Sequence, residues 1–370
     1  MLLCRTAAAA AAAAPPAAAT AKTNFLRVDL VSMPRDYHTR AGRASDLRQA
    51  VRLRARPSFA VRFRFEADAS ASLFSWKLRF RKTSLPSMFS PNVLKIDCAA
   101  EAARIEEAIR KQVFGTLRRR GAVVGLSGGI DSSVVGALCA RALGKEHVLG
   151  LFMPERDSSS DALRLGRALA DGLGIQTVVE DIQPALTGSG CYARQDEAIR
   201  QVFPEYAAGD RFKITLPSIL DSDRLNVSQL TVSNASGPHT RRMPLKPYLQ
   251  LVAATNFKQR LRTNMEYYHG DRLNYAVAGT PNRLEYDQGF FVKGGDGLAD
   301  FKPIAHLFKT QVFALAEHLG VPEEIRKRPP TTDTFSMPQG QDEFYFSLPY
   351  GKMDLCLYAF DEGTPPAEVA

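Results

Sequence analysis

Cysteine is scarce in this chain and carries no pattern. The five (Cys4, Cys98, Cys139, Cys191 and Cys356) form neither a Cys-x-x-Cys pair nor any metal-ligand spacing. That excludes a zinc ribbon or a disulfide-stapled scaffold and reads as reduced, partly buried thiols of an intracellular, cytoplasmic protein. No apolar run approaches the roughly 18–20 residues that cross a bilayer, so no membrane partner is expected. The chain also lacks a Gly-Lys-Ser/Thr ending, so a Walker-type loop, whose lysine reaches the outer phosphates, is excluded. Acidic residues are missing before Asp29.

That last absence locates the charge. Of the net +9, the first 90 residues supply about +11, leaving the remaining 280 near −2. The basicity belongs to the N-terminal segment, which argues against a nucleic-acid partner for the rest. Ala7 to Ala19 is a low-complexity Ala/Pro tract, and Arg35 to Arg64 is Arg-rich without a sustained period. Residues 1–87 are expected to be a disordered or irregular leader, with regular patterning from Met88 onward. An Arg-rich, acid-poor composition leaves organellar targeting open.

What the chain does have is a loop, Val123-Val-Gly-Leu-Ser-Gly-Gly-Ile-Asp-Ser-Ser133. A short apolar run, Ala122 to Leu126, reads as a buried parallel strand, and Val134 to Leu143 continues as a helix. Glycines at such a turn let backbone N–H groups approach an anion, and the helix start adds partial positive charge. Ser127, Ser132 and Ser133 supply hydroxyls, and Asp131 an oxygen suited to magnesium. A Gly/Ser-rich turn that merely caps a helix is the plainer alternative.

From Asn92 helical and strand patterns alternate, predicting an α/β fold, a doubly wound parallel sheet with flanking helices. Helices are expected over Ala99 to Arg120, Ser158 to Leu173, Tyr248 to Tyr268 and Ile304 to Leu319. Strands are expected at Val148 to Met153, Thr177 to Val179 and Asn274 to Gly279. Residues 209–247 break the alternation and read as an insert with short strands at Phe212 to Leu216 and Gln229 to Ser233. The expected organisation is therefore leader 1–87 and one domain, 88–370, carrying that insert.

Three later stretches carry charge in suggestive places. Lys258, Arg260 and Arg262 alternate along a helix, for which a solvated basic face is the default reading. Ala278-Gly-Thr-Pro-Asn-Arg-Leu-Glu285 runs from a strand end into a polar loop. Gly289-Phe-Phe-Val-Lys-Gly-Gly-Asp-Gly-Leu-Ala-Asp300 sets Lys293 and Asp300 around glycines.

The loop Ser-Gly-Gly-Ile-Asp-Ser resembles the pyrophosphate loop of N-type ATP pyrophosphatases. With Lys258-x-Arg260, Gly-Thr-(4)-Glu285, the glycine cluster to Asp300, Pro303-Ile, Lys309-Thr-Gln and Pro330-Thr331-x-Asp333, the order from about residue 95 to 358 closely resembles NAD synthetase. The resemblance implies an adenine nucleotide alpha hydrolase-like fold and ATP-dependent amidation of deamido-NAD through an acyl adenylate, with AMP and pyrophosphate released. It implies that Gly125, Leu126, Ser127, Gly128, Gly129, Ile130, Asp131 and Ser132 hold the pyrophosphate and that Thr280, Lys309 and Thr331 contact ATP. Arg260, Lys293 and Asp300 would bind deamido-NAD, and Asp131 and Glu285 would hold Mg2+. It also implies a homodimer.

Two departures from the family pattern stand out. Pro281-Asn282-Arg283-Leu284 replaces the usual Asp-His-Ala-Ala before the glutamate, and the C-terminal His-Lys pair has no counterpart after Tyr358. The first 90 residues are too few for a fused nitrilase-type glutaminase, so free ammonia, or ammonia from a separate glutaminase subunit, is expected. A tRNA-modifying pyrophosphatase and a non-catalytic nucleotide-binding relative remain the competing readings.

Overall fold

The computed structural model of the chain describes residues 89–216, 228–329, 335–337, 339–340 and 348–369. The leader, residues 217–227 of the insert, and Pro330, Thr331 and Asp333 lie outside the described residues.

Helix α1 (Cys98–Arg110) starts where Asp97 accepts from the backbone N–H groups of Ala99 and Ala100, at 3.0 and 3.1 Å. It buries Ala102, Ile105 and Ile109 at helical spacing. The helix expected to reach Arg120 ends early. Residues Lys111–Thr116 make a π turn, closed by Leu117 N–H donating to Gln112 C=O at 2.8 Å, and Arg118 adopts a positive φ of 53°. The chain thereby turns into β1 (Ala122–Gly125).

β1 leads through α2 (Ile130–Leu143) to β2 (Val148–Phe152), and through α3 (Ser160–Leu173) to β3 (Gln176–Val179). All pairings are parallel, and β7 (Ala276–Ala278) joins the free side of β1, giving the order β3-β2-β1-β7. β1, β2 and β7 are apolar because both faces are covered, whereas β3, at the edge, is mostly exposed. Ala122 and Val124 face a core shared with α1, α2 and α3, whereas Val123, Leu149 and Leu151 pack beneath Leu273 and Tyr275 on the other side. Helix α2, sandwiched in the first core, buries Val134, Val135, Leu138 and Cys139 and so lacks a polar stripe.

Between β3 and β7 the chain makes an excursion only partly expected. Two helices, α4 (Gln183–Gly188) and α5 (Cys191–Arg200), precede a three-stranded antiparallel sheet of β4 (Arg211–Thr215), β5 (Gln229–Asn234) and β6 (Gly237–Arg242). β6 escaped sequence detection because it is polar and opens with Gly237-Pro238. Proline is tolerated there because β6 is an edge strand, mostly exposed. Phe212 and Ile214 of β4 and Leu230 and Val232 of β5 point the same way, into a separate apolar cluster with Ile199, Phe203 and Leu251.

Helix α6 (Leu245–Leu273) has 29 residues, about 43 Å at 1.5 Å per residue, and overruns the expected span at both ends. After β7 come α7 (Arg283–Asp287), α8 (Lys309–His318), α9 (Glu323–Lys327), α10 (Tyr350–Glu362) and α11 (Pro366–Val369). Helix α8 begins five residues later than predicted. Ile304 and Leu307 are buried within turns, so apolar spacing alone did not mark the boundary.

Candidate active site

The chain runs outward from β1 to β3 and returns to the opposite side of β1 as β7. The crevice at such a reversal, outside the carboxyl ends of the strands, is where α/β sheets place ligands. Here it holds a cavity of about 310 Å³, walled by the loop after β1, the loop after β7 and one face of α6.

The loop after β1 needs its glycines. Gly128 has φ +72°, and a Cβ there would stand 2.4 Å from the carbonyl oxygen of Ala162. Ser127 Oγ accepts from Gly129 N–H at 3.3 Å and shares a 3.2 Å hydrogen bond with Ser132 Oγ. Ser132 and Ser133 hydroxyls donate back to Gly129 C=O at 3.0 and 2.8 Å. Gly129 caps α2 without a side chain, so the first N–H groups of a 14-residue helix are left for another acceptor at the cavity.

Two acids and a lysine meet where this loop enters α2. Asp131, in the first turn of α2, accepts from Asn282 Nδ2 at 3.1 Å through Oδ1 and pairs through Oδ2 with Lys309 Nζ. Lys309 is fully buried at the start of α8. Glu285 reaches the same place from α7 by a reciprocal cap. Its Oε2 accepts from Asn282 N–H at 2.9 Å, while its own N–H donates to Asn282 Oδ1 at 3.2 Å. Burial, then the charge of Asp131, pushes the Glu285 carboxyl well above the ordinary carboxylate range. Burial works against the Lys309 ammonium, but Asp131 and Glu285 outweigh it and hold its pKa above the usual lysine value.

The departure Pro281-Asn282 therefore has a purpose in this fold. Asn282, 1% exposed, ties both acids together. Sequence reading passed over it, although Asn three residues before Glu is a legible capping signal.

The cavity wall holds other ionisable groups that sequence reading did not single out. Glu266 and Asp296 line it with Arg262. Burial, then the Asp296 charge, pushes Glu266 up to about 8, and burial pushes Asp296 up to about 6. Gly125 makes room for the first of these, because a Cβ there would fall 2.3 Å from Glu266 Oε1.

The basic triplet on α6 separates, since successive members are about 200° apart around a helix. Arg262 lines the cavity. Lys258 does not lie on a solvated face: it is fully buried, with Nζ 3.2 Å from Glu155 Oε1 and 2.5 Å from Asp157 Oδ2. Arg260 is outside, its Nε donating to the Lys293 carbonyl at 3.1 Å, and Lys293 itself is exposed. Asp300 is exposed too, accepting from Val277 N–H at 2.8 Å and Tyr267 OH at 3.2 Å. Thr280 and Glu285 line the cavity together with the β1 loop and Asp131, whereas Arg260, Lys293 and Asp300 do not. Thr331 lies outside the described residues.

Two carboxylates from separate elements, with no cluster of three or more metal-ligating side chains among the described residues, do not make an all-protein metal cage. They fit a magnesium ion completed by phosphate oxygens and water.

A glycine-serine loop and paired acids facing each other at the switch point of a doubly wound sheet define the class of this molecule as an α/β domain with a polar crevice. The comparisons name the family. The NAD synthase model matches residues 101–205 and 223–370. The NH(3)-dependent NAD(+) synthetase of Mesorhizobium japonicum is 63% identical over 279 residues, covering 75% of this chain and 88% of that one. The enzyme of the same name from Rhizobium meliloti is 59% identical over 283 residues, covering 76% and 84%. The chain belongs to the NAD synthase family. Among solved structures, NMN synthetase from Francisella tularensis superposes with a TM-score of 0.52 at 23% identity, covering 74% and 90%, which speaks for the fold alone.

Proposed function

We propose that this chain amidates deamido-NAD to NAD with free ammonia and ATP, by way of an acyl adenylate. The observation that carries this is the juxtaposition of Asp131 and Glu285 with the β1 loop along one cavity, the buried Lys309 pairing with Asp131. In the first step a nicotinate carboxylate oxygen attacks the α-phosphorus of ATP, the bond to the bridging oxygen breaks, and pyrophosphate leaves. In the second, ammonia attacks the acyl carbon, loses a proton, and AMP departs with the carbon–oxygen bond electrons.

An anion must here approach a polyanion, so neutralisation and positioning are what the protein has to supply. In this reading Gly125 to Ser132 receive the departing pyrophosphate with N–H and hydroxyl groups. Asp131 and Glu285 hold magnesium, which offsets phosphate charge when bound. Lys309 and Thr280 contact ATP, with Thr331 assigned the same role. Asn282 sets the angle between the two acids.

Arg260, Lys293 and Asp300 lie outside the cavity, and α6 leaves Leu245, Leu249, Phe257 and Tyr268 exposed. We therefore assign them to a homodimer, in which a dinucleotide reaching past the cavity meets them at the interface. Among the described residues no helix is long and apolar enough to cross a membrane, and Cys98, Cys139, Cys191 and Cys356 are free thiols, in keeping with a cytoplasmic reaction.

The test mixes the chain with ATP, magnesium and ammonium, plus deamido-NAD, tRNA or no acceptor. NAD, AMP and pyrophosphate should appear in equal amounts with deamido-NAD alone. Light scattering should give a mass near twice 40.6 kDa. Pyrophosphate release dependent on tRNA, or a fully active monomer, would overturn the corresponding part.

A further inference from the structure

The family match stops at residue 205 and resumes at 223, and β4 (Arg211–Thr215) lies in the gap. This strand does more than extend a surface sheet. One edge pairs with β5; the other carries a short stretch from the far end of the chain. Phe212 N–H donates to Ser336 Oγ at 2.9 Å, Met337 N–H donates to Phe212 C=O at 3.1 Å, and the Gln339 side-chain amide donates to Ile214 C=O. Phe335 packs edge-on to Phe212, with ring centroids 5.7 Å apart and planes at 75°. Phe335 is 5% exposed, and what it does expose faces the cavity that the β1 loop and Val252 also line.

β4 is thus anchored from below and gripped from the side. Phe212 and Ile214, both almost fully buried, fix it in the satellite core of the insert, and two backbone groups of Phe212 then fix residues 336 and 337. A wall residue contributed by a stretch with little secondary structure of its own depends on such a support.

We propose that β4 is a positioning strand for the nucleotide cavity. It holds Phe335 as an apolar wall against which ATP packs, and so sets nucleotide affinity without touching the reacting atoms. The inference rests on the reading above that this cavity takes ATP, and it gives the segment outside the family match a role in binding.

The experiment compares the full chain with Phe335→Ala and with the double variant Ser336→Ala/Gln339→Ala, which leaves Phe335 in place and cuts the two side-chain ties to β4. ATP affinity is measured by calorimetry with magnesium and no dinucleotide, hydrogen exchange at residues 335–340 by mass spectrometry, and kcat at saturating substrates. Both variants should weaken ATP binding at least about five-fold, while kcat stays within about two-fold. Only the double variant should speed exchange at 335–340, by about ten-fold or more. Phe335→Leu, with a smaller loss, serves where the alanine variant melts early. A double variant that exchanges faster yet binds ATP as tightly as the parent would overturn the proposal, as would a Phe335→Ala chain with unchanged affinity. A parent chain that binds no ATP would remove the functional reading and this inference together, whereas tight parental binding with indifferent variants would remove this inference alone.

Discussion

Among the described residues two lysines are fully buried, each beside two carboxylates, and they do opposite things. Around Lys258 the acids are saturated by protein donors. Glu155 Oε2 accepts from Tyr192 OH at 2.8 Å and from Asp157 N–H at 3.1 Å, and Asp157 takes Gln195 Nε2 at 2.8 Å. Burial opposes ionisation of Asp157, yet Lys258, Gln195 and Arg156 together hold its pKa below the ordinary value. Around Lys309 the acids line a cavity, and the Glu285 carboxyl is pushed up instead. One lysine and two acids therefore make a closed strut in one place and a centre still short of positive charge in the other. The difference lies in whether burial or the neighbouring charges win: Asp157 is held down whereas Glu285 is pushed up, and the second case is where a cation or phosphate-bound metal would be drawn.

The sharpest way to break this contrast is at the cavity. Asp131→Asn and Glu285→Gln should each cut AMP formation by about a thousand-fold or more; Glu285→Gln should melt within a few degrees of the parent, whereas Asp131→Asn, which takes away the ion-pair partner of the buried Lys309, should also melt earlier. Near-normal turnover in either variant would remove that residue from the centre. At the strut the balance should invert. Lys258→Met leaves two buried charges uncompensated and should cost about 3–5 kcal/mol in urea unfolding, with turnover per folded molecule within about ten-fold of the parent. Adding Glu155→Gln and Asp157→Asn should recover much of that stability; no recovery would show that Lys258 acts by packing rather than charge.

A smaller effect should follow from Glu266. Folded, its carboxyl keeps its proton up to about pH 8; unfolded, it ionises near 4.5. The folded state therefore binds the extra proton between those values. Stability from the protonated acid is complete below pH 4.5 and is lost as pH rises through 8. Glu266→Gln should leave the melting temperature nearly unchanged at pH 5 and raise it by about 2–6 °C at pH 8.5 without ligand. Equal shifts at both pH values would exclude titration as the cause. Least of all should follow from removing residues 1–87, since both lysine centres are built from residues beyond 150 and Asp131. Melting and NAD formation should not move.

Much of the site was legible because its signals are local. The strand-loop-helix of Ala122 to Leu143 is written in consecutive residues, and Asp131, Glu285 and Lys309 came from motifs in order. What stayed illegible depends on where a helix points. Lys258, Arg260 and Arg262 look alike in sequence, but one enters a buried strut, one meets solvent and one lines the cavity. Glu266 belongs to a long polar helix with no local mark of cavity contact. Asp300 spends one oxygen on Val277 N–H at the edge of β7, a contact that its place after the glycine cluster does not announce. Helices α4 and α5 were missed because short, polar-rich segments carry weak periodicity.

The pairing of β1 with β7 also sets an order of events in synthesis. Ala122 of the central strand lies beside Ala276, about 150 residues further along. At 5–20 residues per second a ribosome needs roughly 8–30 s to supply that neighbour. Throughout that interval β1 and β2 can pair, but one hydrogen-bonding edge of β1 stays bare and the acids at the crevice have no Lys309. Such an exposed apolar edge is a template for unwanted pairing. Slowing translation before residue 276 prolongs that exposure and should increase aggregation, an effect that a chaperone covering the edge should remove.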